Sequence, residues 1–152
     1  MGNRAVIAFK TKDHGKHGKN QSPAIYLHWN GGRDSVEAFL RAGERLGIRG
    51  NDPTYCMARL TQIIGNYLGG TLSLGVGCYG NFGDPGDNGV YWINNWKIVE
   101  RELPYEGFEE QNGYDIESLA DTVFEANKES MNPFDKTEII LDAGVLREEG
   151  LA

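Results

Sequence analysis

Cysteine is nearly missing from this chain of 152 residues, which holds only Cys56 and Cys78. They fall in different expected elements and lack metal-ligand spacing, which excludes a thiolate metal centre and leaves two reduced cysteines of a cytosolic protein as the expectation. Histidine is almost as scarce, at positions 14, 17 and 28. There is no His pair at i and i+4, no Gly-x-Ser-x-Gly elbow and no P-loop, so the common hydrolytic and phosphoryl-transfer signatures are absent. No apolar run is long enough to cross a membrane, and the first one, residues 5–9, is too short for the hydrophobic part of a signal peptide. The opening Met1-Gly2-Asn3-Arg4-Ala5-Val6 begins like a myristoylation signal but lacks Ser or Thr at position six, so lipidation is not expected.

What is present is a globular composition with an uneven division of charge. Apolar residues make up 39% and charged residues 24% of the chain, which suits one domain over 1–152, with 100–152 an acidic extension of it. Residues 1–60 carry ten Lys or Arg against five Asp or Glu, whereas 61–152 carry five against seventeen. From 100 to 152 there are fifteen acidic and four basic side chains. Such a two-sided chain is expected to present an interaction surface or to complement a second copy, which makes a homo-oligomer the expectation, although charge runs are more often solvated faces.

Periodicity places the elements. Residues 3–10 alternate as an interior strand does, with Ala5, Ile7 and Phe9 on one face and Val6 and Ala8 on the other. Residues 11–22 form a polar, basic loop in which His14 and His17 lack a carboxylate or thiolate partner, so a solvated loop is preferred to a metal site or a phosphate-grasping loop. Val36, Phe39, Leu40 and Leu46 recur at helical spacing up to Gly47. Asp52-Pro53 supplies a cap and an N1 proline for a second helix, whose apolar set Met57, Leu60, Ile63, Ile64, Tyr67 and Leu68 stops at Gly69-Gly70. Residues 71–79 read as a strand with Leu72, Leu74, Val76 and Cys78 toward a core and small residues opposite.

In the loop 80–89, Asp84, Asp87 and Asn88 fit turn chemistry better than a cation loop. Residues 90–99 read as a hairpin turning at Asn94-Asn95, with Ile93 paired to Trp96; Tyr91, Ile93, Trp96 and Ile98 then share a core face and Trp92 lies opposite. Asp115 can cap a helix carrying Ile116, Leu119, Val123 and Phe124. Asp135 and Glu138 form another cap-like pair before Ile139, Ile140, Ala143 and Leu146, a segment that also reads as a strand over 137–141. The fold class expected is α+β: an antiparallel sheet of about four to six strands, two central helices packed on it and an acidic helical C-terminal part.

Chemistry concentrates in residues 26–35. An apolar run at 24–29 reads as a strand, Asn30-Gly31-Gly32 as a turn, and Asp34 with Glu37 has the spacing of an N-cap and its partner three residues on. A helix starting after two glycines offers N–H groups and a partial positive charge to an anion. Arg33 is a fork donor for a phosphate, and Tyr26 or Trp29 a ring on which a base can stack. The candidate ligand-binding residues are therefore Tyr26, His28, Trp29, Asn30, Gly31, Gly32, Arg33 and Ser35. The bland alternative is a tight strand-to-helix turn with Arg33 solvated and His28 and Trp29 packed on the sheet. A catalytic grouping of His28, Asp34 and Ser35 or Cys56 has only sequence adjacency behind it. No catalytic residue, cofactor or metal is expected.

Met1-Gly2-Asn3-Arg4-Ala5-Val6-Ile7, Tyr26-Leu27-His28-Trp29-Asn30-Gly31-Gly32-Arg33-Asp34-Ser35-Val36 and Gly86-Asp87-Asn88-Gly89-Val90-Tyr91 resemble segments of small uncharacterised proteins of bacteriophages, prophages and mobile elements. The likeness spans roughly the first two thirds of the chain. It implies an accessory phage protein in the cytoplasm of a bacterial host, and it assigns no activity and no functional residue. Such proteins often interfere with host defence, so the leading expectation is a non-enzymatic anti-defence protein that binds and sequesters a nucleotide-like anionic ligand. An acidic, DNA-mimic-like inhibitor of a host defence protein, presenting Glu109, Glu110, Glu117 and Asp121, is the alternative, and a small nucleotide-processing enzyme the second. Neither a membrane nor direct nucleic-acid binding is expected.

Overall fold

A computed structural model describes residues 2–12, 18–70, 73–110 and 112–129 of the chain. His14 and His17, and the elements expected over 135–146, lie outside those residues. The central strand is β1 (Ala5–Phe9), apolar on both faces and buried on both, as its unbroken run of apolar side chains requires. On one side it pairs antiparallel with β2 (Pro23–Leu27), which pairs antiparallel with β3 (Leu74–Cys78). On the other side it pairs with β4 (Val90–Asn94), which forms an antiparallel hairpin with β5 (Lys97–Glu102), so the sheet order is β3-β2-β1-β4-β5.

The sheet is mixed rather than wholly antiparallel, because β1 and β4 run parallel. The pairings make β3 and β4 point the same way, so the chain between them must return along the sheet. Residues 79–89 do this on the face that carries no helix. Tyr79 and Phe82 cover Val6, Ala8, Ala24, Val90 and Trp92 there, while Asn88 donates from its backbone to Arg4 O at 2.9 Å and Asp87 forms an ion pair with Arg4. Asp84 Oδ1 accepts the Gly86 N–H at 2.9 Å, the turn chemistry expected of the loop.

The other face carries the helices. α1 (Arg33–Arg45) lies toward β5 and α2 (Pro53–Leu68) over β2 and β3, and α3 (Ile116–Lys128) packs on both helices. One core joins Ile7, Phe9, Leu27 and Ile93 of the sheet to Phe39, Leu60 and Val123 of the helices. Within α2, Asp52 caps the N-terminus by accepting the Tyr55 N–H, and Gly69 ends the helix at φ 70°. Asn127 of α3 is buried and fully engaged, donating to Ile63 O and Val123 O and accepting from Asn66. The first helix of the acidic part is thus built into the core.

Two local expectations need correction. The β4–β5 turn falls at Asn95 and Trp96, both at positive φ (52° and 64°), so Ile93 pairs with Ile98 and not with Trp96. The cause is packing: the Trp96 ring lies against Gly43 and Gly50, where an added Cβ would stand 2.4 and 2.5 Å from it, and its Nε1 donates to Ile48 O at 2.7 Å. Trp96 and its expected face-mates still share the helix-side core. On β3, Val76 is 69% exposed instead of buried, because α2 covers the edge strand only as far as Leu74.

On the other face a charged network holds the edge hairpin to the loop at 18–22. Glu102 accepts from Trp92 Nε1 at 2.6 Å and from the Tyr79 hydroxyl at 2.7 Å, and Lys19 lies 3.1 Å away over both rings. Burial acts to raise the Glu102 carboxyl, but these donors outweigh it and hold the group below its ordinary value of 4.5. Its stabilisation is therefore complete above that value and is lost as pH falls through the lowered one. Thermal melts taken from about pH 7 down to about pH 3 should fall more steeply for the wild type than for Glu102→Gln; parallel slopes would contradict this role.

Candidate anion-binding site

After β2 the chain leaves the sheet through residues 28–32, with Asn30 at φ 58°. Gly31 sits where no side chain fits: an added Cβ would be 2.5 Å from Asn3 O and 2.9 Å from the Ala5 Cβ. Its N–H donates to Asn3 O at 2.8 Å and its carbonyl accepts the Tyr91 hydroxyl at 2.7 Å. Gly32, not Asp34, occupies the N-cap of α1, and it offers no side-chain cap. Asp34 lies in the first turn, 2% exposed, where its charge complements the helix dipole. One carboxylate oxygen accepts the Ser35 N–H and the other accepts the N–H groups of Gly113 and Tyr114, each at 2.7 Å. The glycines and Asp34 therefore brace the helix start against β1, β4 and the segment before α3. The Gly31 and Ser35 N–H groups are thereby engaged within the protein.

The proposed ligand residues separate into two groups. Tyr26 lies on the sheet face without helices, stacked on Phe82 at 6.4 Å, with its hydroxyl 3.0 Å from His28 Nδ1. Trp29 is 44% exposed and meets the His28 ring edge-on at 5.0 Å. On the helix side, Ser35 is fully buried and its hydroxyl accepts from Asn30 Nδ2 at 3.3 Å. His28, Asp34 and Ser35 thus address three different partners and form no nucleophile-base relay. Arg33 borders a groove.

That groove, of about 200 Å3, runs between α1 and the β4–β5 turn. Arg33, Glu37, Leu40 and Arg41 form one wall, and Trp96, Lys97 and Ile98 the other. Arg33 Nε donates to Glu37 at 2.9 Å, a bond that with its charge raises the guanidinium above its ordinary value. Lys97 lies 3.3 Å from Glu44. Arg41 is exposed and has no ion-pair partner among the described residues. Of the three cations along the groove, Arg33 and Lys97 are thus paired with Glu37 and Glu44, and Arg41 is left without an ion pair among the described residues.

Sequence reasoning found Arg33 and missed Arg41 and Lys97. Arg33, Glu37 and Arg41 stand four residues apart, one stripe of a helix, and that signal was legible. Lys97 depends on where the hairpin turns. Of the four acidic residues of the inhibitor alternative, Glu109 and Glu117 are exposed, Asp121 is exposed and paired with Arg45 at 2.6 Å, and Glu110 turns inward onto Arg101. Arg101 also lies 3.8 Å over the ring of Tyr91 and donates to Asn88 O. Burial, more than the nearby Asp52, pushes the Cys56 thiol up to about 11, well away from thiolate chemistry at neutral pH. Among the described residues, no group of three His, Cys, Asp or Glu side chains could hold a metal ion, and no helix is long and apolar enough to cross a membrane.

No family model, curated protein or solved structure matches the chain.

Asp34→Ala should cost about 2 kcal/mol in urea denaturation, since it strips the acceptor from three backbone donors. Amide exchange at Gly113 and Tyr114 should rise with it. A loss below about 0.5 kcal/mol, the scatter of neutral surface changes, would show that the brace is dispensable.

Proposed function

We propose that this chain is a non-enzymatic phage accessory protein of the anti-defence kind that binds and sequesters a nucleotide-like anionic ligand. The groove beside α1 carries the reading. Guanidinium forks at Arg33 and Arg41 and the Lys97 ammonium suit the oxygens of a phosphate, and the half-buried Ile98, backed by the buried Leu40 and Trp96, offers apolar surface to a sugar or base edge. A groove of about 200 Å3 is smaller than the roughly 300–1,000 Å3 that encloses a drug-sized ligand, so it takes the phosphate end while the rest lies across the open side. None of its lining residues is a serine, cysteine or histidine, which favours holding a ligand over converting it.

Arg33 remains in the site, the Gly31-Gly32 backbone becomes its scaffold, and Tyr26, His28 and Trp29 fall outside the groove.

Titration calorimetry with pyrophosphate, nucleoside phosphates and cyclic nucleotides should find at least one binder that is recovered intact after heat denaturation. Arg41→Ala, which breaks no ion pair among the described residues, should weaken binding about tenfold or more, and raised salt should weaken it further. Binding that ignores both Arg41→Ala and Lys97→Glu would remove the groove as the site, and conversion of the ligand would make the protein an enzyme.

A further inference from the structure

The two edges of the sheet are finished differently. The edge strand β5 reads Lys-Ile-Val-Glu-Arg-Glu, with a register irregularity opposite it between Trp92 and Ile93. Charges and bulges of this kind prevent another strand from pairing. The opposite edge, β3, reads Leu-Gly-Val-Gly-Cys, with no charge, no proline and no bulge.

The hydrogen-bond phase shows which groups this edge presents. His28 N donates to Ser73 O and Tyr79 N to Ser22 O, and each donor lies opposite its acceptor in the β2–β3 register. Alternation then turns the N–H and C=O of Gly75 and Gly77 toward β2. Those of Leu74, Val76 and Cys78 point away from the sheet. Pro23, which has no N–H, is accordingly the partner of Cys78. The Cys78 N–H is held by Asn81 Oδ1 at 3.2 Å, while the outward groups of Leu74 and Val76 meet no partner among the described residues. Val76 is also one of the most exposed large apolar side chains.

We infer that β3 pairs antiparallel with β3 of a second copy of this chain, about a two-fold axis at Gly75. This register opposes Leu74 to Val76 of the second copy and the reverse, giving about four hydrogen bonds without disturbing the Asn81 contact. Each exposed Val76 is then covered by a leucine across the axis, and the glycines meet with no side chain between them. Such an isologous arrangement needs only groups that the edge already presents, and an uncharged strand offers nothing that would select a foreign partner over an identical one. The two sheets become one, with the charged β5 strands as the outer edges. The interface lies at the opposite sheet edge from the Arg41 groove, so its test is independent of ligand binding.

Sedimentation of the purified full chain should show a concentration-dependent dimer. Val76→Lys, placed on an exposed side chain, should give a monomer that melts like the dilute wild type. For the register, Gly75→Cys in a Cys78→Ser background should form a disulfide dimer on mild oxidation. An added Cβ at Gly75 meets nothing closer than Tyr26 Cβ at 3.4 Å, and non-hydrogen-bonded pairs place their Cα atoms about 4.5 Å apart, within reach of a disulfide. A wild type that stays monomeric up to about 1 mM would overturn the second copy and leave the edge to a foreign strand. Self-association unchanged in Val76→Lys would overturn the edge itself, and a Gly75→Cys chain that fails to cross-link would overturn the register.

Discussion

The space beside Gly31 governs this structure. Its Cα lies so near Asn3 and Ala5 that a methyl group would collide with the β1 backbone, and this proximity lets its two backbone polar groups reach Asn3 and Tyr91. One residue thereby ties the end of β2 to β1 and β4 where α1 begins. Asp34 extends the tie by gathering the Gly113 and Tyr114 N–H groups. Because Gly31, Asp34 and Tyr91 are buried, loosening one of their bonds would leave polar atoms without either water or partner, and that cost keeps the junction in one geometry. The direction of α1, and hence where Arg33 and Arg41 stand, follows from it.

The groove is a by-product of that direction. α1 turns its apolar side to the core and carries the Arg33, Glu37, Arg41 stripe past the β4–β5 turn, where Trp96 plugs the gap left by Gly43 and Gly50. The apolar floor and the third cation depend on a turn held at positive φ by tertiary packing, against the ordinary cost for a tryptophan.

Much of the fold was legible because its signals are local. Asp52-Pro53 and Gly69 marked α2 at both ends, Gly47 marked the end of α1, and the alternation of residues 5–9 marked a central strand. What failed was non-local. The parallel β1–β4 pairing depends on where 79–89 crosses the sheet, which no short window contains. Asp34 and Glu37 had capping-box spacing, yet the carboxylate found backbone donors about eighty residues away, at Gly113 and Tyr114. Val76 alternated correctly but lies on an edge that no helix covers. Of the candidate ligand residues, Arg33 is legible from its charge next to a helix start, whereas strand alternation sends Tyr26 to the other face of the sheet.

In the proposed groove an anion would be met by side chains along α1 and β5 and not by the backbone at Gly31-Gly32. The most direct measurement is a two-dimensional amide NMR titration of the whole protein with pyrophosphate and with a nucleotide found to bind. Shifts should concentrate at Arg33, Arg41, Lys97 and Ile98, with Tyr26 and Trp29 unmoved. Shifts centred on residues 26–32, or none at ligand excess, would contradict it.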